Sequence, residues 1–187
     1  MSMITDYITK TQTAIGNIVG IESSIQDFAD ACIESLGHGN KIIFCGNGGS
    51  AADSQHLSAE LMGRFLKDRE PLAAMALTVD TSALTAIGND YGYDQVFARQ
   101  LSGIGRTGDV LVGLSTSGNS ANIVNAFHKA NSIGILTVAM TGNRESALSK
   151  LADITIFAPS GETNHIQECH ITIGHLVCKI VEEKMFP

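Results

Sequence analysis

Five short, continuously apolar runs punctuate the chain, and between most of them lie longer segments whose apolar residues recur every three or four positions. The runs are KIIFCG (41–46), LAAMALTV (72–79), DVLVGLS (109–115), GILTVAMTG (134–142) and ADITIFAP (152–159). A strand that is apolar throughout is buried on both faces, and parallel neighbours need helical crossovers between them. The pattern therefore predicts an α/β fold: a doubly wound, mostly parallel five-stranded sheet flanked by helices. Helical patterns over 50–66, parts of 81–102, 119–132 and 144–150 lie between the strands, and 164–185 forms a long terminal helix. Ahead of the first strand, Ile15, Ile18, Ile21, Ile25, Phe28, Ala29, Cys32 and Leu36 step mostly by three or four. This N-terminal helical extension (about 3–36) is expected to pack on the sheet or on a neighbouring subunit. No linker, repeat or low-complexity segment divides residues 1–187, which read as a single domain.

Composition narrows the function classes. A formal charge of −7 with no Lys/Arg run argues against nucleic acid, whose phosphate backbone needs clustered cations. No apolar run approaches the roughly 18 residues of a membrane span, and the N-terminus shows no basic region leading into an apolar stretch. Cys32, Cys45, Cys169 and Cys178 lack C-x-x-C spacing and sit in hydrophobic stretches, as reduced thiols do. The expectation is a cytoplasmic protein.

Ligands of such sheets bind beyond the carboxyl ends of the strands. Two strand ends carry unusual turn chemistry: GNGGSA after the first run and STSGNSAN after the third. The first can be forced into a dinucleotide fingerprint, but that motif wants an acidic residue about 20 positions on. Here the second run ends at Asp80, 34 residues after Gly46. A tight strand-to-helix turn accounts for the glycines equally well. The second loop gathers Ser115, Thr116, Ser117 and Ser120 at the start of a helix, where backbone N–H groups and the macrodipole attract an anion. No G-K-[ST] is present, so a single sugar phosphate suits it better than a triphosphate; helix capping by Ser117 or Asn119 is the plainer alternative.

His56 and Glu60 lie about 40° apart on one helical face, a spacing that most often marks a solvated surface pair. The terminal helix changes the reading. There Gln167, Ile171, His175 and Cys178 share one arc, with Gln and His among core-like residues. Such groups need polar partners, and His56 with Glu60 can supply them. Two imidazoles, a carboxylate and an amide oxygen can equally hold one divalent metal, zinc being favoured by the histidines. Asn89 and Asp90 fall in the glycine-flanked stretch IGNDYGYD, read as a turn able to contact a polyol. His38 and His128 show no constellation and read as surface residues.

Taken together, CGNGGSAADSQHLSAELMGRF, IGNDYG, GDVLVGLSTSGNSANIV and IQECHITIGHL resemble the phosphoheptose isomerases, sugar isomerases of the SIS fold. The resemblance runs from about Ile15 to Glu183. It implies a single SIS domain converting sedoheptulose 7-phosphate to D-glycero-D-manno-heptose 7-phosphate, at the start of the route to the heptose of lipopolysaccharide or capsule. It implies that Ser115, Thr116, Ser117 and Ser120 bind phosphate, and that Asn47, Gly48, Gly49 and Ser50 line the sugar with Asn89 and Asp90. Glu60 and His175 would be the acid–base pair, and His56, Glu60, Gln167 and His175 the ligands of one zinc, with Glu60 and Gln167 also meeting substrate. A homotetramer with sites between subunits is implied as well. One departure is Asn164, where relatives often carry Asp. Two other readings remain: a non-catalytic SIS regulator that binds a replication-initiator protein, and an SIS enzyme for another phosphosugar.

Overall fold

The computed structural model describes residues 2–187. Five parallel strands form one sheet in the order β2-β1-β3-β4-β5, with β1 at Ile42–Gly46, β2 at Ala74–Ala76, β3 at Val110–Leu114, β4 at Leu136–Thr141 and β5 at Ile154–Phe157. Helices α3 (Gly49–Met62), α4 (Thr81–Tyr91), α5 (Val96–Ile104), α6 (Ala121–Ser132) and α7 (Ala147–Leu151) form the crossovers, and α8 (Thr163–Met185) closes the chain. The extension ahead of the sheet is α1 (Met3–Gly16), a 3₁₀ segment at Asn17–Ile21, and α2 (Glu22–Gly37). The helical pattern thus breaks where Gly16 and Gly20 stand.

Side chains alternate across each strand, and the sheet accordingly divides two cores. Ile42, Phe44, Val110, Val112 and Leu114 face α1, α2, α3 and α8, meeting Phe28, Leu57, Leu61 and Ile173. Ile43, Cys45 and Leu111 face the other way, onto Phe97, Leu101, Ile123 and Phe127. Burial on both faces is why the strands read as unbroken apolar runs. All four cysteines are free and buried.

The second run, expected over 72–79, pairs only at Ala74–Ala76. It is an edge strand with one neighbour, and Leu72 and Leu77 are buried outside the ladder. A second difference concerns the function. Asn89 and Asp90 were expected in a turn, but they occupy the last turn of α4, which ends at Gly92 with φ 91°. The glycine that suggested a turn at these residues instead terminates the helix after them.

Candidate active site

In the order β2-β1-β3-β4-β5 the connection from β1 leads to one side of the sheet and those from β3 onward to the other. The crevice between β1 and β3 is therefore the point where an open α/β sheet receives its ligand. Gly46, the last residue of β1, is paired with Leu114, the last of β3, so the loops GNGGSA and STSGNSAN sit side by side. The amides of Asn47 and Asn122 join them: Asn47 Nδ2 donates to Asn122 Oδ1 at 2.9 Å, and Asn122 Nδ2 returns a bond to Asn47 Oδ1 at 2.8 Å. The Tyr93 hydroxyl donates to the same Asn47 oxygen at 3.2 Å.

The glycine turn is required by sterics. A side chain on Gly46 would begin 2.4 Å from the Ser50 carbonyl oxygen, and Gly48 precedes α3 with φ 57°, a conformation natural to glycine. Ser50 is buried beneath the turn, with its carbonyl accepting the Ser54 hydroxyl at 2.7 Å. The exposed parts of this loop are Gly48 and Gly49, at the N-terminus of α3, where the first N–H groups have no intrahelical acceptor.

In the neighbouring loop the hydroxyls turn towards one another. Ser115 Oγ lies 3.1 Å from Ser120 Oγ and 3.5 Å from Ser117 Oγ, and it accepts from the Gly118 N–H at 3.1 Å. Ser120 occupies the N-cap of α6 yet makes no capping hydrogen bond with its side chain. Nor do Ser117 or Asn119 cap α6: Ser117 Oγ accepts the Asn119 N–H at 3.2 Å ahead of the helix, and Asn119 Oδ1 accepts the Ala147 N–H of α7 at 3.0 Å. Several hydroxyls and the unpaired N–H groups at the head of α6 form a small polar cup suited to a phosphate.

The remaining cluster comes from two helices remote in sequence. On α3, His56 Nε2 lies 3.0 Å from Glu60 Oε1; on α8, His175 Nε2 lies 3.1 Å from the same His56 nitrogen. One ligand atom from each residue falls within 4.8 Å of the others, and the Phe65 ring centroid stands 5.7 Å from that of His175. Two imidazole nitrogens and a carboxylate oxygen thus meet at one spot. That donor set fits zinc, which favours His and carboxylate ligands and leaves a position open for substrate in catalytic sites.

Gln167 lies against the glycine turn: a side chain on Gly49 would begin 2.7 Å from Gln167 Nε2. Gln167 therefore touches the N-terminal end of α3, with His56 and Glu60 farther along the same helix. Asn89 and Asp90 are exposed and bonded to each other at 2.8 Å, and among the described residues they bond to no other candidate. Thr116 and Ser117 line a cavity of about 340 Å³ with Asn119, Asn143 and Arg144.

Two residues escaped the sequence reading. Asn122 looked like an ordinary helix position, and only the strand order reveals that it faces Asn47. Asp53 lies one turn before His56, with Oδ2 buried and without a hydrogen-bond partner among the described residues. Burial raises its pKa, against the opposing pull of His56 and His175. The spacing D-x-x-H-x-x-x-E puts Asp53, His56 and Glu60 on one face and would have disclosed it.

The SIS domain profile matches residues 6–142. A phosphoheptose isomerase of Akkermansia muciniphila is 56% identical over 169 residues, covering 90% of this chain and 89% of that protein. The chain belongs to the phosphoheptose isomerase family of SIS-domain proteins. Among solved structures, the phosphoheptose isomerase of Neisseria gonorrhoeae superposes with a TM-score of 0.91 at 40% identity, covering 96% of this chain and 97% of the other. That of Francisella tularensis gives 0.93 at 35%, covering 96% of each. Membership in the phosphoheptose isomerase family bears out the resemblance carried by the four motifs, and the parallel sheet bears out the fold.

Proposed function

We propose that the protein converts sedoheptulose 7-phosphate to D-glycero-D-manno-heptose 7-phosphate, the first step towards ADP- or GDP-heptose for lipopolysaccharide or capsule. The observation that carries this reading is the meeting of Glu60 and His175, with His56, in a chain of this family. Ser115, Thr116, Ser117 and Ser120 take the phosphate at the head of α6. Gly48 and Gly49, with Gln167 beside them, offer amide groups to the polyol. Asn47 is largely committed to Asn122, so it contributes mainly by holding the loop. Asn89 and Asp90 contact hydroxyls from the rim.

Isomerisation moves a proton from C1 to C2 through an enediol and a second proton from O1 to O2. Glu60 removes and returns the carbon-bound proton, while His175 carries the proton between oxygens. Only Glu60 Oε1 faces His56; Oε2 makes no hydrogen bond among the described residues, which leaves it available to substrate. His56, Glu60 and His175, with Gln167, would hold zinc, which supplies a Lewis acid for the carbonyl. The substrate is a small sugar phosphate; neither nucleic acid nor a membrane is a partner in this reading.

The same reading includes a cytoplasmic homotetramer. On α1, Met3, Ile4, Tyr7 and Ile8 are 88%, 77%, 43% and 49% exposed and fall on one stripe at helical spacing, a face that another copy of the chain can cover. No described helix is long and apolar enough to cross a membrane. Light scattering should give four subunits; a monomer would remove the tetramer. The activity is tested by incubating the protein with sedoheptulose 7-phosphate and following the aldose by NMR, with and without a chelator. Aldose formation that is lost with chelator and restored by zinc is expected. No aldose in the zinc-loaded protein would sink the substrate assignment, and turnover indifferent to chelator would sink the zinc.

A further inference from the structure

Behind the Glu60–His175 cluster lies a buried ion pair, Arg69 with Glu182. Glu182 follows His175 by two turns of α8, and its side chain is 2% exposed; that of Arg69 is 1% exposed. The Glu182 carboxylate accepts four N–H groups from one short loop. Oε1 takes Phe65 N–H at 3.1 Å and Arg69 Nε at 2.9 Å, while Oε2 takes Leu66 and Lys67 N–H, both at 2.9 Å. Burial would raise its pKa, but the N–H groups of Leu66 and Lys67, Arg69 and the N–H of Phe65 together hold it below the ordinary value. An ionised, fully hydrogen-bonded carboxylate is the form a buried glutamate needs to be tolerated.

Arg69 spends its other donors on the end of α3. Nη2 donates to the Glu60 carbonyl at 2.9 Å, and Nη1 donates to the carbonyls of Leu61 at 2.9 Å and Glu70 at 3.0 Å. The last carbonyls of a helix have no intrahelical partner, and a cation there also complements the negative end of the macrodipole. The planar guanidinium can reach both helix carbonyls and Glu182 at once, which an ammonium group cannot. The residue whose carbonyl is held is Glu60 itself. The loop fixed by Glu182 also carries Phe65, which packs against His175.

We propose that Arg69 and Glu182 are positioning residues that set Glu60 on α3 against His175 on α8. The inference rests on the acid–base reading of Glu60 and His175. The pair works as a clamp: one end is anchored on the helix of His175, the other on the backbone of Glu60. Binding of the sugar phosphate is carried elsewhere, by the loops after β1 and β3. Loosening the clamp therefore affects the chemical step more than substrate capture.

The test compares Arg69→Lys, Glu182→Gln and Glu60→Gln in the full-length, zinc-supplemented protein. Arg69→Lys keeps a buried cation but loses the fork; Glu182→Gln keeps the shape but loses the charge. In variants that melt cooperatively, kcat should fall about tenfold or more, since small misplacements of reacting groups cost that much, with KM within about twofold. Amide hydrogen exchange should quicken at residues 60–67 and not in the loops after β1 and β3. Should Glu182→Gln not fold, Arg69→Lys carries the test. Folded variants with wild-type kcat would overturn the clamp, as would losses that merely track the fraction of unfolded protein. Turnover surviving in Glu60→Gln would overturn the acid–base reading and the clamp with it. Turnover lost there but intact in the folded clamp variants would overturn the clamp alone.

Discussion

Leu57 on α3 fills the space that a side chain on Gly174 of α8 would take. A methyl group there would stand 2.4 Å from Leu57 Cδ2, 2.6 Å from Cδ1 and 3.0 Å from Cγ. Each residue is the immediate neighbour of a cluster histidine, His56 in one case and His175 in the other. The missing side chain lets two helices approach until the Nε2 atoms of those imidazoles lie 3.1 Å apart. In an isolated helix alanine outranks glycine by about 1 kcal/mol, so Gly174→Ala would stabilise α8 if packing were indifferent. Leu57 is 1% exposed, and the void beside the pair holds only about 10 Å³, too little to take a displaced leucine. Gly174→Ala should therefore lower the melting temperature and, on the proposed acid–base reading, reduce kcat by at least about tenfold by displacing His175 from Glu60. A stabilised variant with normal kcat would show that the spacing of α3 and α8 is not critical.

Ser120 offers a way to separate capping from ligand binding. At an ordinary N-cap, replacing serine by alanine costs about 1 kcal/mol. Ser120 makes no capping bond with its side chain and faces Ser115 Oγ instead. Ser120→Ala should shift the melting temperature little, while KM for the sugar phosphate rises about tenfold or more, as for a lost hydrogen bond to a charged group. Melting curves and initial rates on the same preparation check both halves. A large stability loss with unchanged KM would return the serine to a structural role.

The stitch between the two loops makes a different expectation. Asn122 is 3% exposed and exchanges two hydrogen bonds with Asn47. Asn122→Asp keeps the size but replaces the Nδ2 donor with an acceptor facing Asn47 Oδ1. The lost bond and the apposed oxygens should cost about 1–3 kcal/mol, and a carboxylate beside the head of α6 should repel phosphate. Both a lower melting temperature and a higher KM are expected, with KM rising further above neutral Asn122→Ser in rate measurements. Equal KM values for the two variants would remove the electrostatic part.

These residues also show what the sequence could and could not disclose. The sheet was legible because unbroken apolar runs demand burial on both faces. The loop after β3 stood out because its hydroxyls exceed what one helix cap needs, and they do gather around Ser115 Oγ. Strand order is a long-range property, so nothing local announced that β1 and β3 are neighbours or that Asn122 meets Asn47. Glu182 sits in VEEK, where two adjacent glutamates look alike; only packing against the loop at Phe65–Lys67 buries the first of them. Gly174 was silent for a similar reason, since a glycine inside a helical pattern gives no sign of the leucine that presses on it. His56, Glu60 and His175 were found through their spacing and family motifs together, and the structure supplies their approach.

His170 lies on the buried side of α8, away from that cluster. It is fully buried, its Nε2 donates to the Thr141 carbonyl at 3.1 Å, and Nδ1 has no partner among the described residues. Burial drives its pKa from 6.5 down to about 4, against the smaller opposing pull of the Thr141 carbonyl. The folded protein therefore keeps this ring neutral at a pH where the unfolded chain already binds a proton. Stability from this group is complete above about pH 6.5, falls as the pH drops towards 4, and falls no further below that value. The full difference corresponds to about 3 kcal/mol. Glutamine at this position can still donate to Thr141 but cannot titrate, so the fall in unfolding free energy between pH 7 and 4 should be smaller in His170→Gln than in the parent. Denaturant melts across that range give the comparison; parallel pH profiles for the two proteins would show that His170 does not bring about the acid sensitivity.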